Sequence, residues 1–212
     1  MKRKGFLVLL AGMVIVFAGC DVSVNKSIHI EDGKEVHRAL SSVNGSIKIG
    51  SDCEVHGNAK TVNGSIRVGD GSKVEDLSTV NGRVEIGDNV SVDGSMSTVN
   101  GRIRAGKKSE IRKHVKTVNG SITLLGTIVG RDVTTHNGDI TLMDKAVVSG
   151  DIVVHKSNNF SSKTRRMVIK LSGGSVVEGD ILVKDKKIDA TVILDYGSEV
   201  KGEVHGAKVD RR

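Results

Sequence analysis

Four side chains able to ligate a metal, His37, His56, Glu75 and Asp93, recur at a nearly constant interval in a chain of 212 residues. Imidazole nitrogen and carboxylate oxygen together suit a divalent transition metal, so this column is a candidate metal site. Arg112 comes next at the same spacing, which equally fits a solvated column that accepts any charge. A second group, Arg102, Arg104, Lys107, Lys108, Arg112, Lys113 and Lys116, gathers seven cations with Glu110 as the only acid among them. Such a belt suits an anionic partner: a cell-wall polymer, lipid headgroups or an acidic protein. Cys53 shares its spacing with Ser72, Val90 and Ser109. It reads as a packed thiol, since no base or orienting partner can be assigned to it. No set of carboxylates and arginines suggests catalysis, and no motif calls for a cofactor.

These spacings come from a repeat that must position every side chain. Thr-Val-Asn-Gly recurs so that Asn25, Asn44, Asn63, Asn81, Asn100, Asn119 and Asn137 follow one another about every 19 residues. Gly follows the Asn in every copy except the first, where Lys26 stands. A period this steady means stacked coils. Aligned by the Asn, Ile28, Ile47, Ile66, Val84, Ile103, Ile122 and Ile140 form one apolar column. Ile30, Ile49, Val68, Ile86, Ala105, Leu124 and Leu142 form a second, two residues on, the alternation of a short half-buried strand. Val36, Val55, Val74, Val92 and Ile111 make a third, and Val24, Val43, Val62, Val80, Val99 and Val118 a fourth that ends at His136. About four or five such side chains per coil, each worth about 1.5–3 kcal/mol when buried, cannot offset backbone ordering at about 1–2 kcal/mol per residue. A coil therefore needs neighbours, and stacking in parallel supplies them.

The expected fold is all-β: a single-stranded parallel β-helix, or β-solenoid, expected to be right-handed, with nine to ten coils of about 18–23 residues. The Asn column is expected inside, each amide bonding its equivalent one coil away, with Gly supplying positive φ at the corner. Regular coils span 21–155, a polar loop 156–166, wider coils 167–206 and a polar tail 207–212. The wider coils show as Val168-Ile169-Lys170-Leu171 recurring one unit later as Thr191-Val192-Ile193-Leu194.

Composition narrows the function classes. The chain has no Pro and no Trp, three Phe and one Tyr, so it lacks the aromatic platforms on which sugars and single-stranded nucleic acids stack. Residues 1–19 combine Lys2-Arg3-Lys4, an apolar run from Phe6 to Phe17 that is too short to span a bilayer, and Ala18-Gly19 directly before Cys20. This segment resembles a bacterial lipoprotein signal peptide. The resemblance implies lipidation at Cys20, attachment to a membrane through that lipid, and a place in the bacterial cell envelope on the periplasmic or extracellular side. Without the three basic leader residues the formal charge falls from +7 to +4, too mild to argue for nucleic acid as a partner. With Cys20 acylated, Cys53 has no disulfide partner.

The Thr-Val-Asn-Gly-x-Ile pattern resembles the β-strand-repeat domains of bacterial adhesins. The Val-x-Gly-Asp-Ile units around Gly150, Gly179 and Gly202 resemble bactofilins, which form polymers. These resemblances imply a non-enzymatic structural or interaction module of the envelope that presents a rigid solenoid and can self-associate. The alternative is a hexapeptide-like or other β-helix enzyme acting on envelope polysaccharide. Val68, Val74, Val80, Ile86 and Val92 do fall six apart, but most coils are one residue longer than three hexads, which breaks the strict rule.

Overall fold

The computed structural model describes residues 22–156 and 164–212; the leader, Cys20 and part of the polar segment after Lys156 lie outside the described residues. The described chain is entirely β and loop. Three parallel sheets of ten, ten and nine strands wind into a solenoid of about nine turns, each turn adding one strand to each sheet. Sheet 1 begins at Val22–Ser23 and ends at Val204–His205; sheet 2 runs from Ile28–Ile30 to Lys208–Arg211; sheet 3 runs from Glu35–Val36 to Glu199–Val200. At about 4.8 Å per rung, the ten-stranded sheets are about 43 Å long.

Register follows the columns read from the sequence. Ile47 pairs with Ile66, Ile66 with Val84, and Val84 with Ile103, with the second column in step beside them. Both columns are buried from Ile47 to Leu142, and the third from Val55 to Ile111. They continue beyond the regular repeat through Ile169 and Val192, Leu171 and Leu194, and Val177. The segment after Lys156 does not interrupt the stack, because Ile140 pairs directly with Ile169, Val147 with Val176 and Ile152 with Ile181.

The fourth expected column is not inside. Val24 is 59 % exposed, and Val43, Val62, Val80, Val99 and Val118 are half-buried. Sheet 1 instead turns Leu40, Ala59, Leu77, Met96, Val115, Val133, Ile152 and Ile181 inward, followed two residues later by a buried Ser or Thr from Ser42 to Thr135. From Ser42 to Thr117 each of these hydroxyls has a partner one coil back. Thr61 Oγ1 donates to the Gly45 carbonyl at 2.8 Å, Thr79 to Gly64 at 2.8 Å and Thr98 to Gly82 at 2.9 Å. A bonded hydroxyl costs little to bury. Alternation then turns the Val of Thr-Val-Asn partly outward.

The expected positive φ is present in the last two copies of this corner, at Gly120 (157°) and Gly138 (124°), but the glycines of the earlier coils have a different reason. Gly45, Gly64, Gly82 and Gly101 lie outside the positive-φ region. A Cβ on Gly64 would collide with the Gly45 carbonyl, one on Gly82 with the Gly64 carbonyl, and one on Gly101 with the Gly82 carbonyl. Close approach of successive coils excludes every larger residue. Other corners are tied by carboxylates that take a backbone N–H one coil on: Asp70 Oδ1 accepts from Asp88 N at 2.8 Å, Asp88 from Lys107 N at 2.7 Å and Asp76 from Ser95 N at 2.7 Å. Corner amides that leave the sheet ladder are thereby satisfied.

The C-terminal residues 207–212 are not a loose tail. Lys208–Arg211 is the last strand of sheet 2, with Val209 beside Val192 and Arg211 beside Leu194. Its alternation puts one apolar residue among charges, too little to stand out in sequence but enough to extend an existing parallel edge.

Candidate functional site

The candidate ligands are positioned by sheet 3. Glu35 and Glu54 are register partners, as are Val36 and Val55, and His56 N donates to the Val36 carbonyl at 2.8 Å. Both histidines thus follow an inward Val at the same place on successive coils. Their rings stack with centroids 4.7 Å apart and an interplanar angle of 2°, which matches the rung spacing of the sheet. Nε2 of His37 lies 3.1 Å from Glu35 Oε1, and Nε2 of His56 lies 3.2 Å from the same oxygen. Among the described residues, Glu35, His37 and His56 have one ligand atom each within 4.8 Å of one another, and all three are exposed. Glu75 and Asp93 continue the column but do not join this cluster; Asp93 pairs with Arg112 at 3.2 Å. The carboxylate that meets the imidazoles comes from two residues before His37. Outward-facing residues i and i+2 of one strand lie on the same face, a signal the sequence carried.

The seven cations do not form one surface. Arg104 faces outward on sheet 2, in register with Glu85, and Arg102 precedes the same strand, Ile103–Ala105. Lys107 and Lys108 sit at the corner between sheets 2 and 3, Arg112 and Lys113 at the corner after sheet 3, and Lys116 on sheet 1. A coil with three sides distributes its charges around the axis, so no flat partner meets them all. Lys107 is held 2.9 Å from Asp144, whose hydrogen bond and charge raise its pKa above the ordinary lysine value. Arg112 is engaged by Asp93. The basic side that does exist is sheet 2, where Lys48 and Arg67 are register neighbours, Arg104 continues their column after Glu85, and Arg83 and Arg102 stand alongside. Arg67 shares Glu85 with Arg83, at 3.1 and 3.7 Å.

The asparagines do form a ladder. Nδ2 of Asn44, Asn63, Asn81, Asn100 and Asn119 each donates to Oδ1 of the Asn one coil back, at 2.8 to 3.0 Å. Contrary to expectation the column lies on the surface. Its inward neighbour, the buried Thr or Ser, takes the polar place inside. Asn137 joins through a backbone bridge to Asn119.

Cys53 is buried, with Sγ 3.1 Å from the Glu31 carbonyl. Its backbone N–H donates to Ser72 Oγ, 3.1 Å away. This is a packed thiol in a column of small residues.

A second histidine group escaped the sequence reading. His136 replaces the half-buried Val of the repeat, and His155 follows one coil later, their centroids 5.2 Å apart and tilted by 33°. His114 lies at the corner entering sheet 1, with Nδ1 3.5 Å from Asp132 Oδ2. Burial lowers the pKa of all three, helped by Lys116 at His114, by His155 at His136, and by Lys184 and Lys116 at His155. The signal was the break at His136 in the Val column. Comparison with protein-family models, curated proteins and solved structures found no match to this chain.

Proposed function

We propose that this protein is a lipid-anchored, non-catalytic module of the bacterial cell envelope, attached through Cys20, that holds a rigid solenoid at a fixed position relative to its membrane. The observation that carries this reading is the unbroken parallel register from Val22–Ser23 to the last strand. The first strand starts two residues after Cys20 in sequence, so the proposed anchor and the rod share no length of chain that could act as a hinge. The resemblance of the leader to lipoprotein signals, and of the repeats to adhesin-type and bactofilin domains, supports the same reading. Sheet 2, with Lys48, Arg67, Arg102 and Arg104, is the side on which an anionic envelope component would bind. Its rung at Arg104 is about 19 Å from the first strand of the sheet, well beyond the roughly 8 Å screening length at physiological salt. The anchoring bilayer itself is then a poor partner for it.

Self-association belongs to the same proposal but is limited. Both ends of a solenoid carry open strand edges that can template pairing. At the C-terminal end Arg211 occupies the column that Leu171 and Leu194 fill in the coils before it, so end-to-end docking would press a guanidinium against an apolar rung. Short assemblies fit this better than endless filaments.

The test is a flexible Gly/Ser spacer of about ten residues inserted after Asp21. Folding and lipidation should be retained, while complementation of a deletion strain falls. A spacer variant that complements like the wild type, or wild-type protein that carries no lipid on Cys20 by mass spectrometry, would overturn the proposal.

A further inference from the structure

We propose that Glu35, His37 and His56 form a binding site for a divalent transition-metal ion of the zinc class on the outer face of the first two coils. Parallel register brings these unlike ligands to one place. In a tetrahedral zinc site with metal–ligand distances of about 2.0–2.2 Å, neighbouring ligand atoms lie about 3.4 Å apart. Both imidazole nitrogens are already close to that distance from one carboxylate oxygen, at 3.1 and 3.2 Å. The stacked rings turn the same nitrogen towards the same atom. The separation of all three ligand atoms stays within 4.8 Å, and small rotations of exposed side chains bring them onto one ion.

A second observation points to a cation. Register places Glu35 directly beside Glu54, and like charges facing across neighbouring strands are unfavourable. Lys73 approaches Glu54 at 3.4 Å, on the side away from Glu35. A divalent ion held by Glu35 and the two imidazoles would neutralise the pair from the other side. Glu54 Oε1, the oxygen that Lys73 approaches, lies 3.7 Å from His56 Nε2, close enough to accept a hydrogen bond from a water bound at the fourth position. Two neutral imidazoles with a carboxylate favour zinc, nickel or copper over calcium or magnesium. The site ends with the second coil, because Lys73 replaces glutamate on the third. It is independent of the anchoring proposal and needs neither lipid nor partner.

The test uses the purified full chain without a histidine tag, stripped with chelator and titrated with Zn²⁺ by calorimetry at pH 7.5. Saturable binding of about one equivalent is expected, weakened about tenfold or more by His37→Ala or His56→Ala and to a smaller degree by Glu35→Gln. His155→Ala, which removes a ring from the other histidine pair, should leave the affinity unchanged. Titration with Co²⁺ should give visible absorption bands that disappear in His56→Ala. Absence of saturable binding, or binding that survives both His37→Ala and His56→Ala, would overturn the site; since both rings are exposed, circular dichroism spectra unchanged from wild type would establish that the variants fold.

Discussion

His136 and His155 hold the place where the repeat gives up its half-buried Val, and burial depresses the pKa of each below the ordinary 6.5. Lys116 and Lys184 face His155, and His155 faces His136, so protonation there meets positive neighbours as well as desolvation. His114 behaves alike: burial lowers its pKa first, and Lys116, Arg131 and Lys113 add to this against the opposing charge of Asp132. The sign follows from linkage. Below pH 6.5 the unfolded chain takes up protons that the folded chain still refuses, so stability is full above 6.5 and is lost as pH falls towards the folded-state values. Thermal melts should therefore show a lower Tm at pH 5.5 than at pH 7.5, and His136→Gln should reduce that difference. An equal difference in the variant would mean that other groups carry the pH dependence.

At the scale of the strand and its corner, the four residues Thr-Val-Asn-Gly divide the work of one bend. Thr98 bonds the Gly82 carbonyl inside, Val99 covers the edge, Asn100 bonds Asn81 outside and Gly101 lets the preceding coil approach. Gly82→Ala should cost about 1–3 kcal/mol, because the added methyl meets a carbonyl fixed by the neighbouring coil. Asn81→Ala removes only solvent-exposed hydrogen bonds and should cost less than about 1 kcal/mol. Urea melts of both variants would check the order, and an Asn81 effect larger than the Gly82 effect would mean that the outer ladder, not the close approach, limits the corner. Much of this was legible in the sequence: the period gave the columns, and the columns gave the register of sheets 2 and 3. What the period could not give was direction at a corner. Val62 and Thr61 are both good strand residues, and only the availability of the Gly45 carbonyl to Thr61 Oγ1 decides which one goes in. The true inward column of sheet 1 mixes Leu, Ala, Met, Val and Ile, so it stood out less than the uniform Val column beside it. Likewise the column His37 to Asp93 runs from coil to coil, whereas the carboxylate that meets the two imidazoles, Glu35, stands two residues before His37 within one coil.

For the whole molecule, stability comes from neighbours, since each coil buries its apolar face only against the next. The segment after Lys156 is where such a stack could be divided, yet the registers of all three sheets pass across it. A fixed face along the whole length depends on this continuity, because two independent halves could not present one. The outward column of sheet 2 offers a direct measure. Lys48 and Asp210 are eight rungs apart through Arg67, Glu85, Arg104, Thr123, Thr141, Lys170 and Ile193. With Cys20 and Cys53 replaced by Ser and spin labels at positions 48 and 210, pulsed electron resonance should give one narrow distance distribution centred at about 38 Å, allowing for the reach of the labels. A broad or two-peaked distribution would contradict the single rigid solenoid.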